Sequence, residues 1–347
     1  MDCLNNSTHM RKSVNFKLIS FLLIISSFNG LILFSGISLG QIAVFLLVIH
    51  IVFTILRNRY IPTCNYKHVI YLFFLLIINW YVSNINNIEF SIWMARSLWI
   101  IIALLLLMHP KLSFSIDEIK KVLLIVASSK LVFILVAVLI GGIGVRATIL
   151  FDSPTYSPVI LYLSYYFTKE KKWIWLIISL ILISLTGSRL LLISAFIIPF
   201  AILNLKNKLK LGVVLVFLVI IISPYLGITE RLIELLEITE DLSFIGKANE
   251  FIVLFDYFKE NPLFGKGFGL RYDNGVDIEH FTYSHNVIAY FLGYSGLLGS
   301  YILLVFFKKM YSDRDLRYFL ISVFIFMLST TSYTLPDSSL ILLLILL

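Results

Sequence analysis

The sequence predicts an all-α fold: a polytopic bundle of about twelve transmembrane helices with a large outer loop that contains amphipathic helices. Three observations predict it. Hydrophobic residues make up 59% of the 347 positions and charged residues 14%, where a soluble domain carries roughly 25% charged residues. The apolar residues fall in blocks of about 15–20, long enough to cross a hydrocarbon layer of about 30 Å. Runs such as Leu22–Ile25 and Ile100–Leu107 are apolar on every side, whereas membrane barrel strands alternate polar and apolar at period two. In lipid each backbone N–H and C=O needs a partner within the protein, so blocks of this kind are helices.

Taken in order, the blocks place spans at 18–34, 41–56, 69–83, 92–108, 122–140, 155–168, 173–186, 189–204, 211–226, 285–307, 317–332 and 338–347. The chain thus reads as one membrane domain over 1–347. Nine spans occupy 1–226, the outer loop 227–284, and three further spans 285–347. The first block follows Arg11, Lys12 and Lys17, as a signal peptide would. No small-residue cleavage site follows it, so it reads as an uncleaved span. The two cysteines, Cys3 and Cys64, imply no disulfide framework.

Charge tests this layout. The N-terminus and alternate connections hold Arg11, Lys12, Lys17; Arg57, Arg59, Lys67; Lys111, Lys120, Lys121; Lys169, Lys171, Lys172; Lys206, Lys208, Lys210; and Lys308, Lys309, Arg314, Arg317. These are 19 of the 28 basic residues. Such asymmetry marks the cytoplasmic side and puts both termini there. It also accounts for the net charge of +8 without a nucleic-acid partner. Five more basic residues lie in 227–284 beside eleven acidic ones, the only long hydrophilic stretch. In it Leu232, Leu235 and Leu236, then Phe251, Leu254, Phe255 and Phe258, recur at helical spacing. They predict two amphipathic helices on the bundle or the membrane surface. Asn261-Pro262 ends the second, and Gly265, Gly267 and Gly269 mark a tight turn region.

Four basic residues remain: Arg96, Lys130, Arg146 and Arg189. Inside a membrane each costs at least ~2.5–3.5 kcal/mol, so such residues are functional candidates by default. Arg96 lies a turn into the fourth span, Arg146 just before the sixth, and Arg189 opens the eighth after Thr186-Gly187-Ser188. All three spans run inward from the outer face. A helix N-terminus favours anions, and arginine's fork of donors fits phosphate. Together they describe a polyanion site at the outer leaflet. The plainer readings are that Arg96 snorkels to the interface and that Arg146 is an ordinary loop residue. Lys130 lies mid-span near Ser128 and Ser129, with no partner nameable from sequence.

His285 is a further outlier. Ser284-His285-Asn286 opens the tenth span, with Ser284 placed to cap it. Eleven residues on, about three turns, stands Gly296, and Gly299 and Ser300 continue a small stripe that lets another helix approach closely. A neutral imidazole at that end could orient or deprotonate a hydroxyl. A metal role is not expected: only His280 stands near it at ligand spacing, and no cysteine lies nearby.

These residues resemble a known family. Asn261-Pro-Leu-Phe-Gly-Lys-Gly-Phe-Gly269, then Ser284-His285-Asn286, nine residues and Gly296-Leu-Leu-Gly299, looks like the signature of the O-antigen ligase and polymerase superfamily, which includes the Wzy-type polymerases of O-antigen and capsule repeats. Thr186-Gly-Ser-Arg189-Leu-Leu-Leu192 is similar to its arginine-bearing helix start. The motifs cover roughly 184–300. The resemblance implies a C-type glycosyltransferase-like fold, a substrate oligosaccharide on undecaprenyl pyrophosphate, a bacterial cytoplasmic membrane location with the active site on its outer face, and no cofactor. It also implies a partner protein that regulates chain length. It carries Arg189 and His285 over as catalytic. Arg146, before Asp152-Ser153-Pro154, corresponds more loosely to a second outer arginine. Where relatives carry an arginine at the start of the loop helix this chain has Lys247.

On this reading Arg146, Arg189, Arg271 and Arg96 bind pyrophosphate, and Asp152, Tyr272, Asp273, Tyr283 and Asn286 contact glycan. The base is open: His285, or an acid among Asp152, Asp273, Asp277 and Glu279. A ligase of the same superfamily fits the motifs equally. A lipid-linked glycan transporter or flippase would favour Gly- and Pro-broken helices near the midplane, whereas here Gly and Pro concentrate in outer loops. A structural scaffold leaves the outer arginines without purpose.

Overall fold

In the computed structural model the described residues are 21, 32–34, 37–58, 66–107, 116–141, 158–185, 189–226, 242–271, 286–313 and 316–319. Most of the apolar blocks among them fold as helices: α1 (Leu39–Asn58), α2 (Tyr66–Ile85), α3 (Phe90–Leu107), α4 (Ile116–Gly141), α5 (Leu161–Lys169, entered through a 3-10 turn at Pro158–Ile160), α6 (Trp173–Leu185), α7 (Arg189–Ile202) and α8 (Leu205–Leu226). The loop helix is α9 (Leu242–Glu260), and α10 (Val287–Ser312) follows it. One departure from the all-helical expectation is small. Ile32–Phe34, expected to end the first span, pairs antiparallel with Ile37–Ser38 in a short hairpin before α1. The remainder of the first span, all but the first residues of the eleventh, the twelfth, and the loop helix around Leu232–Leu236 lie outside the described residues.

Among the described residues, three helical stretches are both long and apolar enough to cross a bilayer: Lys67–Ile85, Ile116–Ile140 and Ile288–Val305. Trp173–Leu185 and Leu191–Ile202 are apolar but shorter. The burial pattern is that of a protein whose solvent is lipid. On α2 the exposed side is Phe73, Phe74, Ile77, Trp80 and Tyr81, while Asn79 and Ser83 are buried. Ser97, Lys130, Ser179 and Ser194 are likewise buried on their helices. A water-soluble chain avoids so large an exposed apolar surface. In lipid the bundle interior is where polar groups find partners.

Two neighbourhoods make the bundle. In one, α5 is held between α4, α6 and α7, with α8 against α6. Leu161 to Tyr165 are all buried in succession, as expected of a helix enclosed on all sides. In the other, α1 packs on α3, α3 on α2, and α10 against both α2 and α9. The chain after α10 joins them: Asp313 pairs with Lys120 of α4 at 3.1 Å, and the Phe319 ring meets Tyr162 edge-on at 5.6 Å.

Candidate functional site

The motif residues assemble around α10, which is not one continuous helix. Gly296 takes φ 60° and ψ −158° within it, a combination essentially confined to glycine. A straight helix would bond the Leu297 N–H to the Gly293 carbonyl and the Leu298 N–H to the Tyr294 carbonyl. Here those four groups find partners in the turn after α9. Leu297 donates to the Pro262 carbonyl at 2.9 Å and Leu298 to that of Leu263 at 3.1 Å. Lys266 donates to Gly293 and Gly267 to Tyr294, each at 2.9 Å. Residues 262–267 are thus spliced into the broken helix, and its backbone groups stay satisfied as a membrane interior requires.

The turn keeps this shape because Gly265, Gly267 and Gly269 all have positive φ, as their spacing predicts. The small stripe also packs closely, but differently from expectation. At Gly293 it meets the Leu254 backbone of α9, where an added Cβ would lie 2.8 Å from the carbonyl oxygen. At Gly296 it meets the turn, where a Cβ would lie 2.5 Å from the Leu263 carbonyl carbon. The tenth span is therefore present but kinked at Gly296, and a turn as well as a helix approaches its small residues.

Asn79 of α2 locks the assembly from the opposite side. Its Nδ2 donates to the Tyr294 carbonyl at 3.0 Å. Its Oδ1 accepts from the Phe268 N–H at 2.9 Å and the Trp93 Nε1–H at 3.3 Å. Asn86 at the α2–α3 turn donates to the Lys266 carbonyl at 2.9 Å, and the Tyr71 hydroxyl donates to the Leu298 carbonyl. The buried Phe268 ring stacks on Tyr290 of α10 at 5.5 Å.

The start of α10 completes the site. Asn286 caps it, its Oδ1 accepting from the Ala289 N–H at 3.0 Å, so the capping role expected of Ser284 falls to Asn286. The Asn286 N–H donates to Oε1 of Glu250 at 3.4 Å, and Glu250 is only 2% exposed. Arg96 is half-buried on α3, the helix that carries Trp93, whose Nε1–H bonds to Asn79. Arg271 is exposed at the end of the turn, where its carbonyl accepts from the Tyr257 hydroxyl at 3.4 Å. Of the expected site residues, Asn286 caps α10, Arg271 ends the turn docked on it, and Arg96 lies on α3.

Arg189 is the first residue of α7, as expected, though its side chain lies outside the described residues. So do Arg146, Asp152, Tyr272, Asp273, Asp277, Glu279, Tyr283, Ser284 and His285. Sequence reasoning missed Asn79 and Glu250. An asparagine inside an apolar block was a signal for the first. Glu250 stands in an amphipathic helix, where an acid reads as part of the solvated face.

Residues 174–304 match the O-antigen ligase family. The matched segment runs from α6 through α10 and takes in the Arg189 helix start, the spliced turn, the cap and the break. The resemblance read from the motifs therefore holds over this segment. Asn79 and Trp93 lie outside the matched segment and are tied to it by the contacts above. Members of the family are glycosyltransferase-like enzymes that act on lipid-linked glycans. No curated protein matches the chain.

Proposed function

We propose that the protein polymerises polysaccharide repeat units, such as those of O-antigen, capsule or exopolysaccharide, at the outer face of the bacterial cytoplasmic membrane. The growing glycan is carried on undecaprenyl pyrophosphate, and the acceptor is a sugar hydroxyl of the next lipid-linked repeat. Oxygen attacks the anomeric carbon, the bond from that carbon to the pyrophosphate oxygen breaks, the hydroxyl proton passes to a base, and the carrier leaves as its diphosphate. Charge develops on the leaving oxygen, so fixed cations aimed there lower the barrier. Arg189, Arg146, Arg271 and Arg96, with inward-running helix N-termini, are the proposed cations. His285 orients or deprotonates the acceptor. The observation that supports this most is the match of residues 174–304 to the O-antigen ligase family, a segment in which the motif turn is docked into the broken α10 and Asn286 caps that helix.

The test is polymer formation by purified protein from lipid-linked repeats in detergent, where a transporter has no second compartment to serve. Wild type extends the glycan; Arg189→Ala and His285→Ala insert normally and make none. Normal chain length in both variants refutes the assignment. The description of the matched family favours a second reading, ligation of finished glycan to a lipid acceptor. A deletion strain separates the two. Loss of a polymerase leaves single repeats on the acceptor, and loss of a ligase leaves long glycan on the carrier.

A further inference from the structure

We infer that α9 and the turn after it are embedded in the bilayer, with one sector of α9 covered by lipid acyl chains, instead of forming a water-exposed loop domain. The depth of the turn comes from its bonding. Pro262 and Leu263 accept from Leu297 and Leu298, which stand midway along the membrane-crossing stretch Ile288–Val305. A segment bonded to the middle of a span lies at membrane depth, and α9 leads directly into it.

The surface of α9 has three sectors, as a helix at such a boundary needs. Glu250, Leu254 and Tyr257 face α10: Glu250 meets Asn286, Leu254 meets Gly293, and the Tyr257 ring meets Tyr294 at 6.4 Å. Since both residue numbers rise together, α9 runs parallel to α10. A second sector is apolar and exposed: Phe251, Ile252 and Phe255, continued past the helix end by Leu263 and Phe264. The rings of Phe251, Phe255 and Phe258 run along it in contact. Asp256 and Glu260 form the third sector. In water the second sector would be a large uncovered apolar patch. It is continuous, through Leu263, with Leu297 and Leu304 of α10, which are exposed on a membrane-crossing helix.

The charges near the turn agree. Lys259 pairs with Asp256 at 2.8 Å and lies 4.9 Å from the Phe255 ring centre. Lys266 pairs with Glu260. Four of the five charges of this end thus form two neutral pairs, which lessens the penalty of placing them beside hydrocarbon; the fifth, Arg271, stands exposed where the turn ends. This inference does not depend on the polymerase reading; it needs only that α10 crosses the membrane.

Spin labels test it. In a Cys3→Ser, Cys64→Ser background, Phe255→Cys, Leu263→Cys and Glu260→Cys are labelled and reconstituted into phospholipid vesicles. Collision with oxygen, which concentrates in lipid, is compared with collision with a water-soluble nickel chelate. The expected result is an oxygen-to-nickel ratio several-fold higher at 255 and 263 than at 260. Nickel access at 255 and 263 equal to that at 260 makes the face solvated and overturns the inference. Exclusion of both quenchers there means another protein surface covers it, which overturns it equally. The unsubstituted chain gives a second measurement: a phospholipid with a photoreactive acyl chain should label the 251–264 peptide, and its failure to do so while α10 is labelled counts against embedding.

Discussion

Replacing Gly296 with alanine tests whether the break in α10 is built into the fold. The residue sits at φ 60° and ψ −158°, where a non-glycine residue costs roughly 1–3 kcal/mol. The new methyl would stand 2.5 Å from the carbonyl carbon of Leu263 and 2.6 Å from its oxygen. Those atoms are backbone, so the turn must move. Moving it loosens the bonds from Leu297 to Pro262 and from Leu298 to Leu263, and each buried group left unpaired costs about 1–3 kcal/mol. The expected loss is at least about 3 kcal/mol, on the order of a hundredfold in the folding equilibrium.

Two other glycines serve as internal comparisons. At Gly299 the added carbon would overlap both Oγ and Cβ of Ser295; rotation moves the hydroxyl but not the Cβ, so the backbone must shift here too, and Gly299→Ala should cost more than about 1 kcal/mol, the worth of the Ser295 hydroxyl bond to Phe291 alone. At Gly212 of α8 nothing lies within 4 Å, so Gly212→Ala is neutral or stabilises by up to about 1 kcal/mol. Thermal unfolding of the three purified variants in one detergent gives the order. If Gly296→Ala unfolds within about 0.5 kcal/mol of wild type, or no earlier than Gly212→Ala, the splice carries no such weight.

Other changes have definite outcomes. Asn79→Leu strips the acceptor from the buried Phe268 N–H and from Trp93 and should destabilise by about 2–4 kcal/mol in the same unfolding assay. Glu250→Ala leaves the Asn286 N–H without its carboxylate; turnover of lipid-linked repeats should fall about tenfold with KM unchanged, and Glu250→Gln, which keeps an acceptor, should stay within about threefold of wild type. Equal loss in both variants would show that the charge, and not the hydrogen bond, matters. Lys120 and Asp313 are about one-fifth exposed, so a double-mutant cycle should give a coupling of about 1 kcal/mol that declines with added salt.

The helices were legible because lipid makes each one a long apolar block. The spans read at 69–83, 92–108 and 211–226 lie within or beside α2, α3 and α8. Where reasoning from periodicity failed, the cause was a contact distant in sequence. Gly296 inside an apolar run looks like a packing residue. Only the docked turn, some thirty residues earlier, makes it a break. The cap moved from Ser284 to Asn286 because helix ends are fixed by local bonding that composition does not show. The three glycines of the turn were readable since their spacing has few other uses. The expected convergence of cations turns on Arg146 and the Arg189 side chain, which lie outside the described residues. The partner that sequence did not suggest, Glu250, arrives on a helix whose burial depends on α10 being there to cover it.

The splice has a consequence for assembly. Alone, residues 287–312 hold every group needed for an uninterrupted rod, since the Gly293 and Tyr294 carbonyls and the Leu297 and Leu298 amides can bond to one another. The segment that replaces those bonds is made first by the ribosome and lies only some twenty residues upstream. The order of synthesis therefore lets the kink be templated as the span enters the membrane, sparing a finished rod from being reopened. A tag or long insert between 271 and 286 would lengthen that tether and weaken the templating, even though it touches no bond in the mature protein.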